Sequence, residues 1–199
     1  MNKLILMAAT FALSINSYAA DFVKGTHYTE LKVESKQTRV VTEYFSFYCP
    51  HCYNLEPIVQ RLKQDLPSGV KFEKKHVSFM GRNMGFEVSK AYATAKALNI
   101  EDDIVRDMFH TIHPLRKPPQ NTEQIQSMFE NHGITKEQFY KVFNSADINS
   151  KAKRFDESFQ RMGLTGVPAV VVNGKFLANA GGVKSQHEYN ELIKYLLNK

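Results

Sequence analysis

Residues 40–47, VVTEYFSF, are β-branched or aromatic with few polar interruptions, the pattern of a buried strand. Downstream, in LEPIVQRLKQDL, Leu55, Ile58, Val59, Leu62 and Leu66 recur at helical spacing. Pro57 lies well inside that helix and is expected to kink it, since it leaves the Tyr53 carbonyl without a donor. Pro67 and Gly69 close the helix, and VKFEKKHVSF (70–79) supplies a second strand. From Gly81 to about Gly163 the spacing is helical throughout. Phe86, Ala91, Tyr92, Ala95 and Leu98 form one face; Ile104, Met108, Phe109 and Ile112 form another, stopped before Pro114. PLRKPPQN is a turn-rich connector. Thr122 is the expected cap of a helix running through Phe129, and Thr135 of the next; Ile148, Ala152, Phe155, Phe159 and Met162 then mark a longer amphipathic helix. Strands return in VPAVVVNGKFLAN, two extended runs around the hairpin signal Asn173-Gly174. A last helix carries Tyr189, Leu192, Ile193, Leu196 and Leu197. The pattern predicts a discontinuous α/β domain, 20–80 and 164–199, interrupted by an inserted all-helical domain at 81–163.

The first residues do not share this pattern. Lys3 is the one charge ahead of the apolar run LILMAATFALSI, and Ser17-Tyr18-Ala19 places small residues at the −3 and −1 sites of a cut after Ala19. Residues 1–19 therefore read as a secretory signal peptide. The run is too short to span a bilayer comfortably, and nothing later approaches a span. The remaining composition, 43% apolar and 23% charged in a chain of 199 residues, is that of a globular protein able to bury a core without staples. The formal charge of +6 is scattered, as in VKFEKKH and PLRKPP, rather than gathered in a stripe, so no nucleic-acid partner is expected.

Export gives the cysteines their meaning. The chain has two, Cys49 and Cys52, within FYCPHCY at the point where the first strand hands over to the first helix. A bridge between them closes so small a loop that it constrains little of the unfolded chain. A structural disulfide and half of a zinc site are the alternatives to redox chemistry, and His76, His110 and His113 show no ligand spacing with CPHC. Redox chemistry is favoured by the setting. Cys49 stands just ahead of the helix, where free N–H groups and the positive end of the helix dipole favour its thiolate. Pro50 suits the first helical turn, where no backbone donor is missed. His51 lies in the same turn and can stabilise the anion further. Cys52, one turn inside, is expected to be more buried. Cys49 would then exchange with outside thiols and Cys52 would re-form the internal bond. Stabilising the thiolate stabilises the reduced form, which makes the internal disulfide a donor. Gly166-Val167-Pro168 is a second clue, with two readings: Pro168 as a plain strand start, or as a cis proline presenting the Val167 backbone to an extended substrate.

The signal peptide, FYCPHCY, HVSFMG, the helical insertion and GVPAVVVNGKF together make the chain resemble the DsbA family of periplasmic thiol:disulfide oxidoreductases, over essentially the full mature length. The resemblance implies a thioredoxin fold with an inserted helical domain and a cis bond before Pro168. It implies a disulfide that serves in place of a cofactor, no metal, and a monomer located in the periplasm of a Gram-negative bacterium. The partners it implies are newly translocated cysteine-containing proteins and a quinone-linked membrane oxidase of the DsbB type. A peptide groove lined by Leu55, Val59, Met80 and Val167 is expected beside the cysteines. Glu43, Glu56 and Lys74 match positions that lie beneath them in the family; on the sequence alone, Glu56 and Lys74 could equally be solvated surface charges. The sequence departs from the family pattern at Arg82, where a second glycine would be familiar, in having no tryptophan, and in a short end after Gly182. These bear on groove shape and client preference, not on the cysteine chemistry.

Two other functions compete with disulfide donation: a disulfide isomerase or reductase, and a peptide-binding chaperone with a structural disulfide. Isomerases of this compartment usually carry a separate dimerisation domain, for which the stretch ahead of the first strand leaves no room.

Overall fold

Among the described residues, 21–34 and 39–199 of a computed structural model, one mixed sheet organises the chain. The signal-peptide reading of residues 1–19 lies outside the described residues. The strands are Tyr28–Glu30 (β1), Val40–Phe45 (β2), Lys71–His76 (β3), Ala169–Val172 (β4) and Phe176–Ala178 (β5), hydrogen-bonded in the order β1-β5-β4-β2-β3. β2 and β3 are parallel and the other pairs antiparallel. Asn173 and Gly174, both at positive φ, turn the hairpin between β4 and β5. β1 is absent from the sequence reading, whose first strand begins at residue 40. It is three residues long, and its strand partner is β5, far along the chain.

Helix α1 (Pro50–Asp65) links β2 to β3, and α7 (Gln186–Leu197) ends the chain. Between β3 and β4 lie α2 (Gly85–Ala97), α3 (Glu101–Ile112), α4 (Thr122–Glu130), α5 (Lys136–Phe143) and α6 (Ala146–Arg161). α1 carries on past Pro57 to Asp65 as one helix. Asn121, not Thr122, caps α4, its side chain accepting the Gln124 N–H; Thr122 is the first helical residue. Asn outranks Thr in that role. Thr135 caps α5 as expected, with Gln138 completing a capping box.

Strand periodicity sorts the sheet into two faces. Val41, Val170 and Val172 meet Leu62 of α1 and Leu192, Ile193 and Leu196 of α7. On the opposite face Tyr44, Ala169 and Val171 meet Phe159 of α6. Where β2 runs out, Phe45, Phe47, Cys49 and Cys52 join a third cluster with Val88, Tyr92, Ile104, Met108, Phe109 and Phe139. The helical block and the cysteine loop thus share one core. β3 is an edge strand, and α2 covers it: the Tyr92 and Ser89 hydroxyls donate to the carbonyls of Lys74 and His76. That is one way a fold blunts an exposed edge.

The turn that follows β3 rests directly on α2. A Cβ at Gly85 would stand 2.1 Å from the Ser78 carbonyl oxygen and 2.2 Å from that of Met80. Gly-to-Ala inside a helix ordinarily stabilises by up to about 1 kcal/mol. Here Gly85→Ala is expected to destabilise by about 1–3 kcal/mol, the cost of overpacking. Urea unfolding measures it; a neutral or stabilised variant would show that the turn does not lean on the helix.

Candidate active site

β2 delivers the chain to the site, and α1 begins on the sulfur of Cys49. Cys49 is the helix N-cap (φ −91°, ψ 114°), and its Sγ accepts the Cys52 N–H at 3.4 Å. Pro50 occupies the first turn, where its missing N–H costs nothing. The Cys49 Sγ–H donates to the Val167 carbonyl at 3.4 Å, and the Val167–Pro168 peptide is cis. Both cysteines are free thiols. Cys49 is 4% exposed and Cys52 0%, so the inner thiol is sealed and the outer one just reaches the surface. Burial pushes the Cys52 thiol well up, only partly offset by a backbone hydrogen bond from Ser46; Cys49 and the charge of Glu43 push the same way. His51 is exposed on the first turn.

Beneath the pair lie three charged side chains. Glu43 and Lys74 are register partners in β2 and β3, so the parallel ladder puts them on one face. Glu56, four residues after Cys52 on α1, points to the same side. The Lys74 Nζ is 2.9 Å from the Glu43 carboxylate and 2.5 Å from that of Glu56. The alternative of solvated charges is thereby overturned: Lys74 is 3% exposed and Glu56 14%. Burial raises Glu43, with Lys74 offsetting only part of the effect. Burial alone would lower Lys74, but Glu43 and Glu56 together hold it above its ordinary value. Glu43 is fully buried, and the Lys74 ammonium is the cation it faces there, so desolvation costs its anion more than its neutral acid. The Lys74 ammonium thus lies between the Glu43 and Glu56 carboxyl groups, and burial shifts Glu43 toward its neutral form.

A groove of about 770 Å³ runs from His51 past Leu55, Ile58 and Pro168 to Asn179 and Ala180. Val59 does not line it. Val59 is fully buried, because seven residues from Cys52 it returns to the same core-facing side of the helix; Ile58 takes the groove position instead. Met80 and Val167 are half-buried and pack on the cysteine cluster rather than along the groove. Sequence reasoning also missed His76 as part of the site, weighing it only as a metal ligand. It shares a strand face with Lys74, which was the available signal. His76 is fully buried, and its Nε2 accepts the Phe47 N–H at 3.1 Å.

This geometry can be compared with known proteins. Residues 40–194 match the family model of the DSBA-like thioredoxin domain. The chain belongs to the DsbA-like thioredoxin family. Its chemistry is accordingly thiol–disulfide exchange. It is 33% identical to the thiol:disulfide interchange protein DsbA of Escherichia coli K12 over an alignment of 208 residues that covers 100% of both chains. The same identity and coverage relate it to DsbA of Haemophilus influenzae. Among solved structures it is similar to Klebsiella pneumoniae DsbA (TM-score 0.81, 27% identity, 90% of this chain and 99% of the other). It is also similar to a Proteus mirabilis DsbA variant in complex with a non-covalently bound peptide, PWATCDS (TM-score 0.81, 30% identity, 90% and 100%). The thioredoxin-like fold with a helical block, expected from the sequence, is thus found.

In this DsbA-family chain His76 has a measurable signature. Burial lowers its pKa from 6.5 to about 3. The unfolded chain takes up a proton near 6.5 while the folded chain does not, so acidification favours unfolding. The stability contribution is complete above pH 6.5 and falls by about 1.4 kcal/mol per unit as the pH drops toward 3. His76→Gln, which keeps an acceptor for Phe47 but does not titrate, is expected to flatten that slope in urea unfolding followed across the window. An unchanged slope would place the acid sensitivity elsewhere.

Proposed function

We propose that the chain oxidises newly exported proteins by donating a Cys49–Cys52 disulfide. The observation that carries this reading is the asymmetry of the pair: Cys49 Sγ faces the N-terminal N–H groups of α1 beside the Val167 carbonyl, while Cys52 is sealed. A client thiolate attacks the Cys49 sulfur, the internal S–S bond breaks, and Cys52 leaves with the electron pair. Burial disfavours that anion, so a proton must reach it; Glu43, whose pKa burial raises and whose charge when ionised raises Cys52, is the group we assign to supply it. A second client thiolate then attacks the client sulfur of the mixed disulfide. Cys49 departs as a thiolate into the field of the helix terminus, and the client leaves with its own disulfide. The client has lost two electrons and the cysteine pair has gained them.

The groove supports the reading of an extended client lying beside His51, Leu55 and Pro168, with the Val167 backbone next to the reacting sulfur. Tuning of the pair by Glu43, Glu56 and Lys74 is supported by their burial and mutual distances. The apolar run after Lys3 and the Ser17-Tyr18-Ala19 site support export to the periplasm, and reoxidation there by a quinone-linked membrane protein of the DsbB type completes the cycle.

Reduced protein given a brief iodoacetamide pulse at mildly acidic pH is expected to label at Cys49 and stay unlabelled at Cys52. Mass mapping reads the result; equal labelling removes the assignment of roles. A glutathione titration should show a strongly oxidising couple, which an isomerase or a chaperone need not be. His51→Ser is expected to shift that equilibrium toward the disulfide by about tenfold, or roughly 30 mV for a two-electron couple. An unmoved equilibrium would assign the potential to the helix terminus alone.

A further inference from the structure

Phe47 stands between the end of β2 and the cap, and its backbone has left the strand ladder. Its side chain is fully buried, and its N–H and C=O need partners that no neighbouring strand supplies. Two imidazoles supply them. His76, the last residue of β3, accepts the Phe47 N–H on Nε2 at 3.1 Å; His113, just past the end of α3, meets the Phe47 carbonyl through Nε2 at 2.8 Å. An amide N–H only donates, so the His76 Nε2 is bare and its proton sits on Nδ1. A carbonyl only accepts, so the His113 Nε2 carries a proton.

His113 reaches the other end of the motif as well. Its ring stacks on Tyr53, with centroids 4.9 Å apart and planes at 19°. Tyr53 directly follows Cys52, and its N–H bonds to the Cys49 carbonyl at 3.1 Å. One side chain from the helical block thus touches the residue two before Cys49 and the residue after Cys52. Its own backbone is pinned, since the His113 N–H bonds to the Phe109 carbonyl. The Phe47 carbonyl shares a rigid peptide plane with the Tyr48 N–H, which bonds to the Ser46 Oγ at 3.3 Å. Holding that carbonyl fixes the approach of the chain to Cys49 and so the alignment of the Cys52 N–H on the Cys49 sulfur.

We propose that His113 is a positioning residue for Cys49, acting through its Nε2–H bond to the Phe47 carbonyl. The inference rests on the reading of Cys49 as the client-facing sulfur, whose thiolate the helix terminus favours. With the bond gone, the cap loop loosens, the N–H groups align less well on the sulfur, and the thiolate is less favoured. Alkylation of Cys49 then slows and the glutathione equilibrium moves toward the disulfide.

Two reciprocal variants separate the hydrogen bond from the packing. His113→Phe keeps the ring on Tyr53 and removes the N–H; His113→Gln keeps an N–H and removes the ring. Expected are a several-fold slower alkylation of Cys49 at fixed pH and a several-fold shift of the glutathione equilibrium in the Phe variant, with the Gln variant within about twofold of the parent on both. A Phe variant that matches the parent on both measurements, or a Gln variant as impaired as Phe, overturns the proposal, whatever the thermal midpoints do. Imidazole ¹⁵N shifts of the parent give a readout independent of folding in the variants. They should show His113 protonated at Nε2 and His76 at Nδ1 alone, and a bare His113 Nε2 overturns the clamp. A parent that fails to label Cys49 ahead of Cys52 would instead remove the underlying assignment, before any variant is made.

Discussion

A sulfur atom stands where helix caps normally place an oxygen. Cys49 caps α1, and its Sγ receives the Cys52 N–H. Ser, Thr, Asp and Asn are the usual residues there, and replacing one with a non-capping residue costs typically about 1 kcal/mol. A neutral thiol is a weak acceptor, whereas a thiolate is a full anion at the positive end of a helix. The helix is therefore best capped when Cys49 is ionised, which happens only after the Cys49–Cys52 bond has been broken. Local helix energetics and redox direction become one quantity.

The buried charges follow from the same constraint. Breaking the disulfide produces a thiolate at Cys52 in a sealed site, and burial makes that thiol a very weak acid. A proton donor within the core would relieve the conflict. Under the proposal that proton comes from Glu43, whose pKa burial raises although the Lys74 ammonium lies 2.9 Å away. Register in the parallel ladder places Glu43 beside Lys74, and helix periodicity places Glu56 below Cys52. Deleting Lys74 would leave the buried carboxyl groups without their cation, commonly a loss of about 3–5 kcal/mol. The triad is therefore costly to alter, and it is built by the most regular parts of the chain.

That regularity decides what could be read from the sequence. The cysteines, their strand and their helix are legible because periodicity changes at FYCPHCY from extended to helical. The hairpin is legible because Asn173 and Gly174 both need positive φ. β1 is not, since Tyr28–Glu30 is too short to show alternation and exists only through its pairing with β5. On α1 the apolar face was legible but its division was not: Leu55, Ile58 and Val59 look alike in sequence, and Val59 is fully buried while Leu55 and Ile58 line the groove. The histidines were visible as residues, but their roles depend on which backbone groups lack strand partners, and that is settled only when the helical block meets the sheet.

The block therefore does more than fill a gap between two strands. α2 satisfies the outer edge of β3 at Lys74 and His76, the residues that carry the buried cation and one imidazole. The core that seals Cys52 is contributed in large part by Val88, Tyr92, Ile104, Met108 and Phe109. His113 returns from the end of α3 to the loop ahead of Cys49. With the sheet alone, Cys49 would still cap a helix, but Cys52 would lie open to water, and desolvation would no longer hold its thiol up. The difference between the two cysteines, on which the direction of exchange depends, arises where the helices close over one side of a motif whose other side faces the groove.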